Sequence, residues 1–179
     1  MTSPVFAALL RWLLPAGTAG ALLVVANCAP VPPTSATAIS PLSGQQARIW
    51  FYRDLDPNDS MATPYLRIDG AIAGVSHPGG ASYRDVAVGR HQISVESYVD
   101  DGNQSRIVDL APGAQLYAKV VPFGDIVQGG GGGDMGGAGG YHRDTYYLWL
   151  YPAEIAWSAI ARSAFYGGSG TLTAAAPLR

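Results

Sequence analysis

Cysteine occurs once in the 179 residues, as Cys28. A single thiol excludes an intrachain disulfide framework and a multi-cysteine zinc site. Lysine is as scarce, with Lys119 alone, and the formal net charge is −2. Such a chain has no electrostatic handle on nucleic acid, and no nucleic-acid partner is expected. Charged residues make up 13% of the chain and apolar residues 48%, which excludes a charge-repelled disordered polymer. Glutamate is limited to Glu96 and Glu154, and no His/carboxylate cluster of recognisable spacing is present. No catalytic residue, cofactor or metal is therefore expected. Glycine and proline are abundant instead, with 23 and 13 copies, too many for a helical bundle.

The N-terminus reads as an address. Trp12 to Ala26 is an uncharged, mostly apolar run preceded by Arg11, the only charge before Arg48. It is shorter than the roughly 20 residues that span a bilayer as a helix. Pro15, Gly17 and Gly20 weaken it further as a span. A basic start, a short apolar stretch and small residues at its end describe a secretory signal peptide over residues 1–27. Val25-Ala26-Asn27-Cys28 closes the run. It resembles the lipobox of bacterial lipoproteins, with Asn27 where Gly, Ala or Ser is usual. The resemblance implies lipidation of Cys28 and a membrane held through acyl chains, each buried CH₂ contributing about 0.8 kcal/mol. Residues 28–46 hold four prolines between Ala29 and Gly44, several Ser/Thr and no charge, and are expected to be an extended tether.

From Ala47 the pattern is short strands separated by turn residues. Arg48–Arg53, Tyr65–Ile68, Ala71–Val75, Ser82–Val86, His91–Tyr98, Ser105–Leu110, Leu116–Val120 and Thr145–Tyr151 are the expected strands. Asp69-Gly70 between the second and third predicts a tight hairpin. About seven or eight strands at this spacing predict a small antiparallel β-sandwich over residues 47–166. Gly124–Gly140, with ten glycines, is expected to be a flexible insertion before the last strand. It is no P-loop, because Gly-Lys-Ser/Thr is missing. After Pro152 the period becomes helical, with Ile155, Ala156, Ala159 and Ile160 forming one stripe. Gly167-Gly168 is expected to end that helix, and residues 167–179 to form a loose tail.

The Ile49–Arg53 strand, the Asp69-Gly70 hairpin into Ile72–Val75, Val88-Gly89-Arg90-His91-Gln92-Ile93, and Leu110-Ala111-Pro112-Gly113-Ala114-Gln115-Leu116-Tyr117 follow one another in order. Together they resemble a domain-of-unknown-function family of short bacterial envelope lipoproteins, related to PEGA-type and transthyretin-like β-sandwich modules. The resemblance covers residues 47–122. It implies the fold and a location in the cell envelope, on the periplasmic side, and supplies no catalytic residues.

Three groups of side chains invite a chemical reading. His91 opens a strand and is read as a structural histidine bonded to turn backbone, because a lone imidazole lacks the partners of a site. Asp54–Asp59 gathers carboxylates but departs from an EF-hand, with Asp59 at the glycine position, and reads as an Asx-rich turn. The last strand is aromatic: Tyr147, Trp149 and Tyr151 share one face, and Tyr146, Leu148 and Leu150 the other. Either the C-terminal helix covers one of these faces, or the Tyr147–Trp149–Tyr151 stripe is a surface for an envelope protein, glycan or lipid. The expected function is a non-catalytic lipoprotein that serves as a structural or binding module. A cell-wall or glycan hydrolase is one alternative. A small-ligand carrier, marked by an apolar cavity inside the sandwich, is the other.

Overall fold

The computed structural model describes residues 30–98, 100–127 and 141–168, with the backbone alone for 124–127 and 141–143. Residues 1–29, with the expected signal peptide and Cys28, most of the glycine-rich insertion and the residues beyond Gly168 lie outside the described residues. None of the described helices is long and apolar enough to cross a membrane.

The described residues form nine strands and one α-helix. The strands are β1 (Gln46–Tyr52), β2 (Tyr65–Ile68), β3 (Ala71–Val75), β4 (Gly80–Ala87), β5 (Gly89–Val95), β6 (Ser105–Leu110), β7 (Gln115–Val127), β8 (Tyr141–Tyr151) and β9 (Ala164–Gly168). The helix α1 is Ala153–Arg162. A five-stranded sheet, β8-β7-β1-β4-β9, faces a four-stranded sheet, β3-β2-β5-β6. The predicted sandwich is thus present. Its pairing is antiparallel except at β1–β7 and β4–β9, which are parallel. Strand β7 runs on to Val127, into the start of the expected insertion, and β8 begins at Tyr141, directly after its end and four residues before the expected Thr145.

Alternation fills the space between the sheets. Ile49 and Phe51 of β1, Leu66 and Ile68 of β2, Ile93 and Val95 of β5, Val108 and Leu110 of β6, and Ala118, Val120, Tyr146 and Leu148 point into it and are buried. The Asp69-Gly70 turn has φ of +51° and +81°, as a two-residue hairpin of this hand requires. Asp69 also ties the hairpin to β5: its carboxylate accepts from the Gln92 N–H at 2.9 Å and lies 2.7 Å from His91 Nδ1. The other ring nitrogen of His91 is 2.8 Å from the Ala87 carbonyl.

Burial disfavours the charged His91 ring, but the bonds to Asp69 and Ala87 and the Asp69 charge outweigh it and raise its pKa. A raised histidine pKa stabilises the fold fully below the unfolded value, about 6.5, and the contribution fades as pH rises through the folded value. The stability gap between the native chain and His91→Gln is therefore expected to be widest near pH 5.5 and to shrink by pH 8. Urea titrations at the two pH values measure it. An unchanged gap would remove the histidine from the linkage. His77, whose pKa burial lowers, does not disturb this comparison, because it is common to both proteins.

Strand β1 is buried on both faces. Its outward side chains, Arg48, Trp50 and Tyr52, lie beneath a third layer. Trp50, Tyr52, Ala81, Tyr83, Ala156 and Ile160 form a second core, joined by Ile39, Tyr117, Tyr151, Ala159 and Phe165. The helix stripe is therefore rotated from the expected one: Ala156 and Ile160 are buried, whereas Ile155 is 57% exposed. Helix α1 ends at Arg162 with Ser163 as its C-cap, not at Gly167-Gly168, which belong to β9. Gly168 has no room for a side chain, since an added Cβ would lie about 2.0 Å from the Tyr83 ring.

The proline-rich segment does not stay extended and free along its whole length. The Phe165 N–H donates to Pro32 O at 2.9 Å, Pro33 bridges Ala164, and residues 34–36 form a 3-10 turn. Thr34 is buried, and both its N–H and its hydroxyl donate to Ser163 O. Further on, Ile39 enters the second core, and Ser40 O accepts from Arg48 Nη2 at 2.9 Å. Tether character is thereby lost from Pro32 to Ser40, because the aromatic outer face of β1 and β4 needs cover that α1 alone does not give.

Candidate functional site

The outer face of the five-stranded sheet carries an aromatic row. Register places Tyr151 beside Tyr117, Tyr117 beside Trp50, Trp50 beside Tyr83, and Tyr83 beside Gly168. The rings interlock, with Trp50 4.9 Å from Tyr83 and 5.5 Å edge-on from Trp157 of α1. The Trp50 indole N–H donates to Gln115 Oε1 at 3.0 Å. Burial lifts the Tyr117 phenol above its ordinary pKa, and burial with the charge of Asp54 pushes Tyr52 up to about 12. This part of the face is core rather than surface.

Toward β8 the cover ends. Of the three residues singled out in the sequence, only Tyr151 packs against the second core. Trp149 is 49% exposed, and Tyr147 is half-buried. Phe123 of β7, 57% exposed, sets its ring centroid 6.0 Å from that of Tyr147. Lys119 is the cross-strand neighbour of Trp149. Its ammonium pairs with Asp54 at 2.6 Å and lies 5.7 Å over the Tyr151 ring. The Tyr147 hydroxyl donates to Asp101 Oδ2 at 2.9 Å. The Asn103 N–H, followed by that hydroxyl, holds the Asp101 carboxyl below the usual carboxylate range. The result is an aromatic strip, Phe123–Tyr147–Trp149, with a carboxylate and an ammonium at its margins.

The strip is held rigidly because the free edge of β8 is capped. From the connection between β5 and β6, Ser97 Oγ accepts from the Tyr146 N–H at 2.9 Å and Asn103 O from the Leu148 N–H at 3.0 Å. Covering an edge in this way removes a template for pairing with other chains. The opposite face of β8 is fixed by Arg53, which is 1% exposed. It donates to Ala62 O at 2.8 Å and to Ser60 O, and lies over the Tyr146 ring. Ser60 Oγ donates to Asp144 and is 3.0 Å from the Tyr146 hydroxyl.

The other sequence candidates lie apart from the strip. His91 sits at the β2–β3 turn, and His77 stacks on Tyr166 at 3.9 Å. In the acidic loop, Asp56 accepts from the Asn58 N–H at 2.9 Å, an Asx turn, while Asp54 pairs with Lys119. Among the described residues, no group of three or more His, Cys, Asp or Glu is placed to hold a metal ion. The inter-sheet space is filled by packed side chains. A groove of about 360 Å³ opens at the surface between Ala62–Pro64, Glu96–Tyr98 and Asp144. Sequence reasoning missed Phe123, which falls three residues beyond Val120, the last residue expected in that strand. No protein-family model matches the chain, and neither curated proteins nor solved structures give a match.

Proposed function

We propose that the protein is a non-catalytic lipoprotein of the bacterial envelope, anchored through Cys28, whose sandwich presents the Phe123–Tyr147–Trp149 strip to an envelope protein or glycan. The observation that carries this reading is the exposure of Trp149 on a strand whose free edge is capped, while Tyr151, Tyr117 and Trp50 of the same sheet face are packed away. Exposed aromatic area held on a rigid strand loses little conformational freedom on binding, and tryptophan is enriched among residues that dominate interface energies. The likeness of Val25–Cys28 to a lipobox supports the anchor, and the two-sheet architecture agrees with the PEGA-type resemblance. The packed interior argues against a carrier that uses the space between the sheets.

Trp149→Ala is expected to leave the melting temperature nearly unchanged, because the indole is half-exposed. The same change is expected to weaken partner binding by roughly 30-fold or more, the loss typical of an aromatic anchor worth about 2 kcal/mol. Photo-crosslinking from position 149 in intact cells checks this against position 72, an exposed site on the other sheet. A defined adduct from 149 that is absent from 72 supports the strip. Indistinguishable adducts from both positions would overturn it.

A further inference from the structure

The docked N-terminal arm changes what a lipid on Cys28 does mechanically. A free tether from Cys28 to Gln46 would let the domain roam about 60 Å from its anchor. The arm, however, is bonded to the domain from Pro32 onward, through Pro32 O to the Phe165 N–H, the Pro33–Ala164 bridge, and Thr34 on Ser163. Three residues separate Cys28 from Pro32, and the four steps from one Cα to the other reach at most about 14 Å.

The attachment point is the β9 edge of the five-stranded sheet, and β8 is the opposite edge. Four strand spacings separate the two, about 19 Å. At the β9 edge the register of the bridge carries Val31 to the level of Tyr166. These side chains are 42% and 41% exposed. A tyrosine with an apolar neighbour suits the headgroup level of a bilayer, where an amphipathic ring finds both of its preferred surroundings.

We propose that the arm is a clasp that shortens the anchor to a leash, seating the β9 edge on the lipid surface and turning the β8 strip toward the aqueous side. This rests on lipidation of Cys28. It adds an orientation, and it selects among occupants of the strip, because the lipid that holds the domain lies at the other edge.

The test uses the full chain recovered from membranes, with lipidation checked by intact mass. Tyr166→Cys and Trp149→Cys variants are labelled with a fluorophore and reconstituted in phosphatidylcholine/phosphatidylglycerol vesicles that carry a headgroup nitroxide quencher. Quenching is expected to be at least threefold stronger from position 166 than from 149. Thr34→Pro in the same backgrounds, which removes the N–H and the hydroxyl bonded to Ser163, is expected to bring the two values together while the circular dichroism of the sandwich is retained. Lipidated protein with equal quenching at both positions, or stronger quenching at 149, overturns the clasp and leaves the anchor standing. Protein without lipid on Cys28 overturns the anchor itself.

Discussion

Arg48→Ala is expected to lower the stability of the sandwich by about 3–5 kcal/mol, the cost of removing one partner of a buried ion pair. The Arg48 side chain is 4% exposed and that of Asp85 16%. Arg48 Nε and Nη2 donate to the two Asp85 oxygens at 2.6 and 2.9 Å, and the guanidinium lies 3.9 Å over the Tyr83 ring. The bond to Asp85 outweighs burial and raises the arginine's pKa. Alanine would leave the Asp85 carboxylate without its partner and release Ser40 O. Arg48→Lys is expected to rescue little, because an ammonium cannot make the two-pronged contact. Adding Asp85→Ala to Arg48→Ala is expected to recover part of the loss, since the uncompensated charge disappears. Urea denaturation of the three variants measures these differences. A loss below about 1 kcal/mol for Arg48→Ala would place the pair among exposed ones of little consequence.

Ile160→Ala is expected to cost about 2–5 kcal/mol, the range for deleting a large aliphatic side chain from a packed core. Ile160 is fully buried, in the cluster that holds Trp50, Tyr52, Ala81 and Tyr83. Ile160→Asp is expected to cost more, because it sets an unpaired carboxylate among rings with no compensating donor. Ile155→Ala, on the exposed side of the same helix, is expected to change stability by less than about 0.5 kcal/mol. Thermal unfolding separates the three. Equal melting for the Ile155 and Ile160 variants would contradict the docking of α1 on the sheet.

The fold was legible where one physical signal dominated. Strict alternation, as in Gln92-Ile93-Ser94-Val95, sets both strand and face, and the Asp69-Gly70 pair sets a turn that positive φ requires. What the sequence concealed came from tertiary context. Arg48, Trp50 and Tyr52 alternate with Ile49 and Phe51, so β1 is apolar or paired on both sides, and the layer over its outer face was not read from the sequence. That layer is divided between α1 and a proline-rich arm whose composition argues for extension. Strand β9 has two glycines and no alternation. It exists because its backbone pairs with β4 and because Gly168 admits the Tyr83 ring. The aromatic stripe of β8 was visible as a pattern. Its division into a packed Tyr151 and an exposed Trp149 depends on where the helix begins, at Pro152, and on how far the helix then reaches across the sheet.

Intact mass of the protein recovered from membranes, with its Cys28→Ser variant alongside, tests the anchored module most directly. A native chain that begins at residue 28 and carries thioether-linked acyl chains is expected, with the Ser variant unprocessed or released from the membrane. A native chain that retains Met1–Asn27 and carries no lipid would contradict it.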